Sequence, residues 1–135
     1  MRYWIIAASL GAAVVTACAT ADMPDAAEGV TLYTENCAIC HGPAGRGDGP
    51  LAADLRPRPG DLSLLASRAG GVFPRAEVLS AIDGYAKSDQ LDEAMPEFGL
   101  LLRGDMVPVD VGDGIMTPVP RPLAALMFYL EEIQR

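Results

Sequence analysis

Five consecutive residues, Cys37-Ala38-Ile39-Cys40-His41, constrain this chain more than any others. The Cys-x-x-Cys-His pattern is the one by which a haem is attached covalently. Two thiols three positions apart on one helical turn reach two vinyl groups of one porphyrin and form thioethers. His41 then follows directly under the ring, where an imidazole nitrogen serves as proximal iron ligand. A chain of 135 residues is enough for one small domain. Most of it must therefore wrap the group that this pentapeptide carries.

Rival chemistries for the same residues lack their other parts. A thioredoxin-like redox pair wants a βαβ setting, which the sequence does not suggest. A structural zinc site wants a fourth ligand, and His41 is the only histidine.

The N-terminus reads as an export signal. Arg2 supplies positive charge, and Ile5 to Val15 is apolar except for Ser9 and Gly11. The run is too short for a membrane span and is quickly followed by small residues. Val15-Thr16-Ala17-Cys18 resembles a bacterial lipobox, in which cleavage precedes a lipid-modified cysteine. The expected division is a signal peptide at 1–17, a flexible tether at 18–27 and the haem domain at 28–135. Lipid on Cys18 would place the domain on a membrane facing the periplasm, because several acyl chains anchor stably. The alternative is ordinary cleavage nearby, giving a soluble periplasmic protein. With Cys18 lipidated and Cys37 and Cys40 bound to haem, none of the three cysteines is left for a disulfide.

The formal charge is −8, and removal of residues 1–17 leaves nine Lys and Arg against 18 Asp and Glu, or −9. Such a surface argues against nucleic acid as a partner. It favours redox proteins with a basic docking face, approached by electrostatic steering.

The pattern of apolar residues predicts an all-α fold of three or four helices and much loop, with no convincing alternating strand. A first helix is predicted from about Ala26 to Cys40, with Gly29, Tyr33 and Cys37 on one face. Residues 42–60 are dense in glycine and proline, and are predicted irregular. Their glycines would let the backbone pass close to a flat ligand. Asp61 is expected to cap a short helix over Leu62–Arg68. Pro74 opens another, with Val78, Leu79 and Ile82 buried and Gly84 at its end. Residues 85–98 form a loop holding Met95-Pro96, and 99–119 a second long loop. A last helix starts near Pro122, its apolar face made by Leu123, Leu126, Met127, Leu130 and Ile133.

Taken together, roughly residues 28–135 resemble a small monohaem cytochrome c of the class I fold. The resemblance rests on the attachment motif, on Gly29-x-x-x-Tyr33, on Gly49-Pro50-Leu51 and on Ala94-Met95-Pro96-Glu97-Phe98-Gly99. It implies that the first helix crosses the C-terminal one near Phe128 and Tyr129. It also implies that the Pro50 carbonyl orients His41, and that Met95 is the distal iron ligand. Met116 is the rival ligand, followed by Met106 or an open site, whereas Met127 is expected in the core. The mature chain has no Trp for a haem propionate, so Arg56 and Arg58 are the candidate partners.

One covalent haem c cycling between Fe(III) and Fe(II) implies an electron carrier rather than an enzyme. Two alternatives are a haem subunit of a dehydrogenase or oxidase complex, and an open-site catalytic or gas-binding haem protein. Arg46-Gly47-Asp48 and Arg103-Gly104-Asp105 are expected to be turn sequences rather than adhesion motifs. Glu97, Asp110 and Asp113 are expected to be solvated acids rather than a cation site.

Overall fold

The structure is a computed structural model that describes residues 22–85 and 95–135. The expected signal at 1–17, Cys18 and the loop residues between Tyr85 and Met95 lie outside the described residues.

Helix α1 (Ala26–Asn36) begins where Asp25 accepts a hydrogen bond from the Glu28 amide at 3.0 Å, with Glu28 itself in the acid-favouring first turn. The predicted single helix to Cys40 is instead broken at Cys37, and a one-turn helix α2 (Ala38–His41) follows. A 3-10 turn over Leu62–Leu64 and helix α3 (Leu65–Arg68) come next. Asp61 caps them as expected, accepting from the Ser63 amide at 2.9 Å and its hydroxyl at 2.6 Å. Helix α4 (Arg75–Asp83) starts after Pro74 and stops at Gly84, whose φ of 90° suits a residue without Cβ. Its Val78, Leu79 and Ile82 are buried, as the pattern predicted.

The chain ends in helix α5 (Arg121–Glu132), which crosses α1. A Cβ on Gly29 would lie 2.2 Å from the Ala125 carbonyl oxygen and 2.6 Å from Tyr129 Cβ. Only glycine therefore permits this approach of the two backbones. Tyr33 and Tyr129 pack with ring centroids 4.9 Å apart. Of the predicted stripe, Leu123, Leu126, Met127 and Leu130 are buried and Ile133 is half-buried, while Ala124 and Ala125 join it, wholly buried. Small residues belong there, because α1 passes so closely over them.

The all-α expectation needs one correction. Residues 99–119 contain an antiparallel hairpin of β1 (Met106–Asp110) and β2 (Met116–Pro120), with Pro108 opposite Pro118. Val107, Val109 and Val119 point into the core, and their neighbours point out. The alternation is real but occupies the outer positions with Pro108, Pro118 and Pro120, residues that normally demote a strand. They are tolerated because the pairing is only two strands wide. Residues sharing the Pro108–Pro118 register direct their backbone nitrogens away from the partner strand, where no donor is needed.

The acids of the hairpin close its turn. Asp110 accepts from the Gly112 and Gly114 amides at 2.8 and 3.0 Å, and Asp113 from the Ile115 amide at 2.9 Å. Arg75 fastens this unit to the helices. Its guanidinium donates through Nε and Nη2 to both oxygens of the Glu131 carboxylate on α5, and through Nη1 to the Asp110 carbonyl at 2.9 Å. The glycine of each Arg-Gly-Asp tripeptide is closely packed: a Cβ on Gly47 would meet the Pro59 carbonyl at 2.3 Å, and one on Gly104 would meet Pro122 at 2.8 Å.

Candidate haem site

The break between α1 and α2 positions the attachment motif. Cys37 ends one helix, its amide still bonded to the Tyr33 carbonyl at 2.8 Å, and starts the next, its own carbonyl accepting from His41 at 2.8 Å. The glycine-rich segment then folds back along α2. Gly47, Gly49 and Leu51 donate amide hydrogen bonds to the carbonyls of His41, Cys40 and Ile39, at 2.8, 3.2 and 3.0 Å. The close fit explains the glycines: a Cβ on Gly49 would sit 2.5 Å from the Ile39 carbonyl oxygen. From below, the buried Tyr33 hydroxyl donates to the Gly42 carbonyl at 2.6 Å. Burial, followed by the nearness of Tyr129, pushes the Tyr33 phenol far above its ordinary range, so it remains a donor.

His41 Nδ1 lies 3.1 Å from the carbonyl oxygen of Gly60. A carbonyl only accepts, so this bond places the proton on Nδ1 and leaves the Nε2 lone pair free for a metal. Burial lowers the His41 pKa, which favours the neutral form that a metal requires. The sequence expectation gave this orienting role to Pro50. In the structure Pro50 is exposed and the carbonyl facing the imidazole belongs to Gly60, at the other end of the same loop. The loop doubles back between the two, so position along the sequence did not indicate which carbonyl would reach the ring.

A cavity of about 240 Å³ opens beside this motif. Its wall brings together Cys37 and His41 from the motif and Met95 from the second loop. Most of the remaining wall is apolar and includes Leu62, Leu65, Val78, Ile82, Leu126 and Leu130. The segment after Met95 is held against α4. The Phe98 amide donates to the Ile82 carbonyl at 3.0 Å, and a Cβ on Gly99 would meet the Asp83 carboxylate at 2.3 Å. Met95 itself is 39% exposed.

The rival methionines are elsewhere. Met106 and Met116 stand on the outer face of the hairpin, 64% and 60% exposed, and neither lines the cavity. Met127 is fully buried in α5, in the core as expected. The cavity wall includes neither Arg56 nor Arg58. Arg56 donates through one nitrogen to the carbonyls of Ala53 and Leu55 at 2.8 and 2.7 Å, fastening its own turn, and Arg58 is exposed.

The donors fit a covalently held porphyrin. Both Cys37 and Cys40 are free thiols at the required spacing, with Cys37 in the wall. Burial, and then the neighbouring Cys40, push the Cys37 thiol up to about 11, opposite to the lowered value a reactive redox thiolate needs. Among the described residues no cluster of three His, Cys, Asp or Glu could hold a bare metal ion.

Sequence reasoning missed two features here, the Gly60 carbonyl and the Tyr33 hydroxyl bond. The second was within reach, since Tyr33 already stood out on the face that carries Cys37.

Comparison with known proteins agrees with this geometry. Residues 26–98 match the family model described as Cytochrome c, a span from the start of α1 through the Met95 segment. No curated protein and no solved structure matches the chain. The chain therefore belongs to the cytochrome c family, and its cofactor is a single covalently bound haem c.

Proposed function

We propose that this cytochrome is a His41/Met95-ligated electron carrier of the bacterial periplasm, anchored to a membrane by lipid on Cys18. The observation that carries the ligation is the cavity wall that His41 and Met95 share while Met106 and Met116 stay outside it. Haem bound there supplies a one-electron Fe(III)/Fe(II) couple. Everything else is done by the chain. Cys37 and Cys40 hold the ring by thioether bonds. Gly60 fixes the tautomer and plane of His41, a neighbouring contact that also raises ligand basicity. A neutral imidazole and a thioether suit an iron that changes charge with little rearrangement, and such a pair raises the potential. The leucine, isoleucine and valine wall excludes water, which preserves that environment.

Redox proteins are its partners, and an acidic chain suits a partner with a basic docking face. Weak, small interfaces of that kind allow rapid exchange. Because His41 is the only histidine, the distal side has no imidazole to shuttle the protons of peroxide chemistry.

The deciding experiment is the spin state of the oxidised, haem-loaded protein with and without added azide. A low-spin spectrum that azide leaves unchanged is expected. A high-spin spectrum, or ready azide binding, would mean an open distal site and overturn the carrier reading. For the anchor, wild-type protein is expected in the membrane fraction and Cys18→Ser in the soluble periplasmic fraction. Soluble wild type contradicts it.

A further inference from the structure

The outer face of the β1–β2 hairpin takes no part in the haem site, yet it is almost free of polar groups. Its cross-strand pairs are Met106 with Pro120, Pro108 with Pro118, and Asp110 with Met116. Met106, Pro108, Met116 and Pro118 are exposed, and Ile115 beside them is 65% exposed. The single acid, Asp110, has its carboxylate turned to the amides of Gly112 and Gly114. Met106, Pro108, Met116 and Pro118 thus form one small contiguous apolar patch.

Its position relative to the N-terminus says what covers it. Pro120 leads directly into Arg121, whose guanidinium holds both the Asp22 carbonyl and the Glu28 carboxylate, and whose amide donates to the Asp105 carbonyl at 2.8 Å. The chain therefore enters the domain at the Met106–Pro120 end of the hairpin. Cys18 stands only four residues before Asp22, a reach of at most ~14 Å. The expected tether of residues 18–27 is thus shorter in effect, since Asp22 is fastened to Arg121 and α1 already begins at Ala26.

We propose that the outer face of the hairpin rests on the lipid bilayer beside the anchored N-terminus, which orients the haem domain on the membrane. This rests on the lipid-anchor reading above. Two alternatives fit less well. A five-residue ribbon is about 17 Å long and ~10 Å wide, giving roughly 170 Å², against about 800 Å² per partner in a stable protein interface. Addition of a third strand is opposed because Pro108, Pro118 and Pro120 remove donors from the open edges. A bilayer needs no edge donors, and a small area suffices where another group supplies the anchoring. Acyl chains already hold the protein there, and a shallow apolar face adds to their grip.

The test is methionine oxidation by a mild chloramine, read residue by residue by mass spectrometry. Lipidated haem-loaded protein in phosphatidylcholine–phosphatidylethanolamine vesicles is compared with Cys18→Ser protein beside the same vesicles. Met127, fully buried, reports loss of folding. Met106 and Met116 are expected to oxidise about fivefold more slowly in the lipidated protein, because exposure governs the rate. Pro118→Asp with Cys18 intact is expected to stay on the vesicles and return Met106 to the rate seen in Cys18→Ser.

Equal rates in vesicle-bound wild type and Cys18→Ser overturn the proposal while leaving the anchor intact. Protection in Cys18→Ser that grows with protein concentration assigns the face to a second copy, and also overturns it. Wild type that fails to join vesicles overturns the anchor, and with it this proposal.

Discussion

On one side of the haem cavity, three amide-to-carbonyl hydrogen bonds from Gly47, Gly49 and Leu51 fix the backbone of residues 39–41. The Tyr33 hydroxyl adds a fourth bond at Gly42, and Gly60 fixes the imidazole itself. On the other side, Met95 stands 39% exposed, on a segment tied to α4 by the Phe98–Ile82 bond. The first side is a preformed backbone socket around His41. The second is a segment running along the end of α4 that carries Met95, the proposed distal ligand. The contrast teaches that the chemistry of the proximal side is written into backbone geometry, whereas the distal ligand is a matter of which methionine the fold brings near.

That contrast can be broken at graded strengths. The largest expected effect is on the scaffold under the socket. Gly29→Val forces a Cβ against the Ala125 carbonyl, where only backbone movement gives relief. Denaturant unfolding of the haem-loaded protein should show a loss of more than about 3 kcal/mol, or no recoverable holoprotein. A loss under about 1 kcal/mol would show that α1 and α5 do not cross so closely.

Arg75→Gln disconnects the hairpin from α5 and should cost about 1–2 kcal/mol, with the haem spectrum unchanged. A spectral change would mean that the hairpin shapes the cavity directly. Tyr33→Phe keeps the ring packing and removes the donor to Gly42. The Gly42 carbonyl keeps its bond from the Gly45 amide at 3.1 Å, so the loss of this one hydrogen bond should cost about 0.5–1.5 kcal/mol. Met95 and the distal spectrum should be unaffected, since the change lies wholly on the proximal side.

The smallest effect concerns pH. Amide bonds from Gly112 and then Gly114 hold the Asp110 carboxyl below its usual range, so their contribution is present above the unfolded-state value of about 3.9. It is lost only as pH falls through the lower folded value. The Gly112 and Gly114 amide resonances should therefore report a titration midpoint below about 3.9, and Asp110→Asn should remove it.

How much of this was legible follows the same division. The Cys37-x-x-Cys40-His41 pattern stood out because covalent attachment demands that spacing, and the fold sets Cys37 and His41 in the cavity wall. The α4 and α5 stripes were legible because burial on one helix face imposes a period. The Asp61 cap and the Gly84 stop were legible because termini need particular side chains. The hairpin was hidden by its prolines, which contradict strand propensity at the very positions where the pairing needs no donor. The orienting carbonyl was hidden for another reason. Every residue has a carbonyl, so nothing in side-chain chemistry separates Gly60 from Pro50; only the path of the folded loop does. The helix break at Cys37 left no mark of its own, since Asn36 and Cys37 fit a helix adequately.

The proposed carrier function depends on Met95 as the distal ligand. The most direct measurement is the spin state and reduction potential of haem-loaded Met95→Ala beside Met116→Ala. The expected result is a high-spin or substituted-ligand spectrum with a lowered potential for Met95→Ala, and wild-type values for Met116→Ala. A wild-type low-spin spectrum in Met95→Ala, or loss of that spectrum in Met116→Ala, would contradict it.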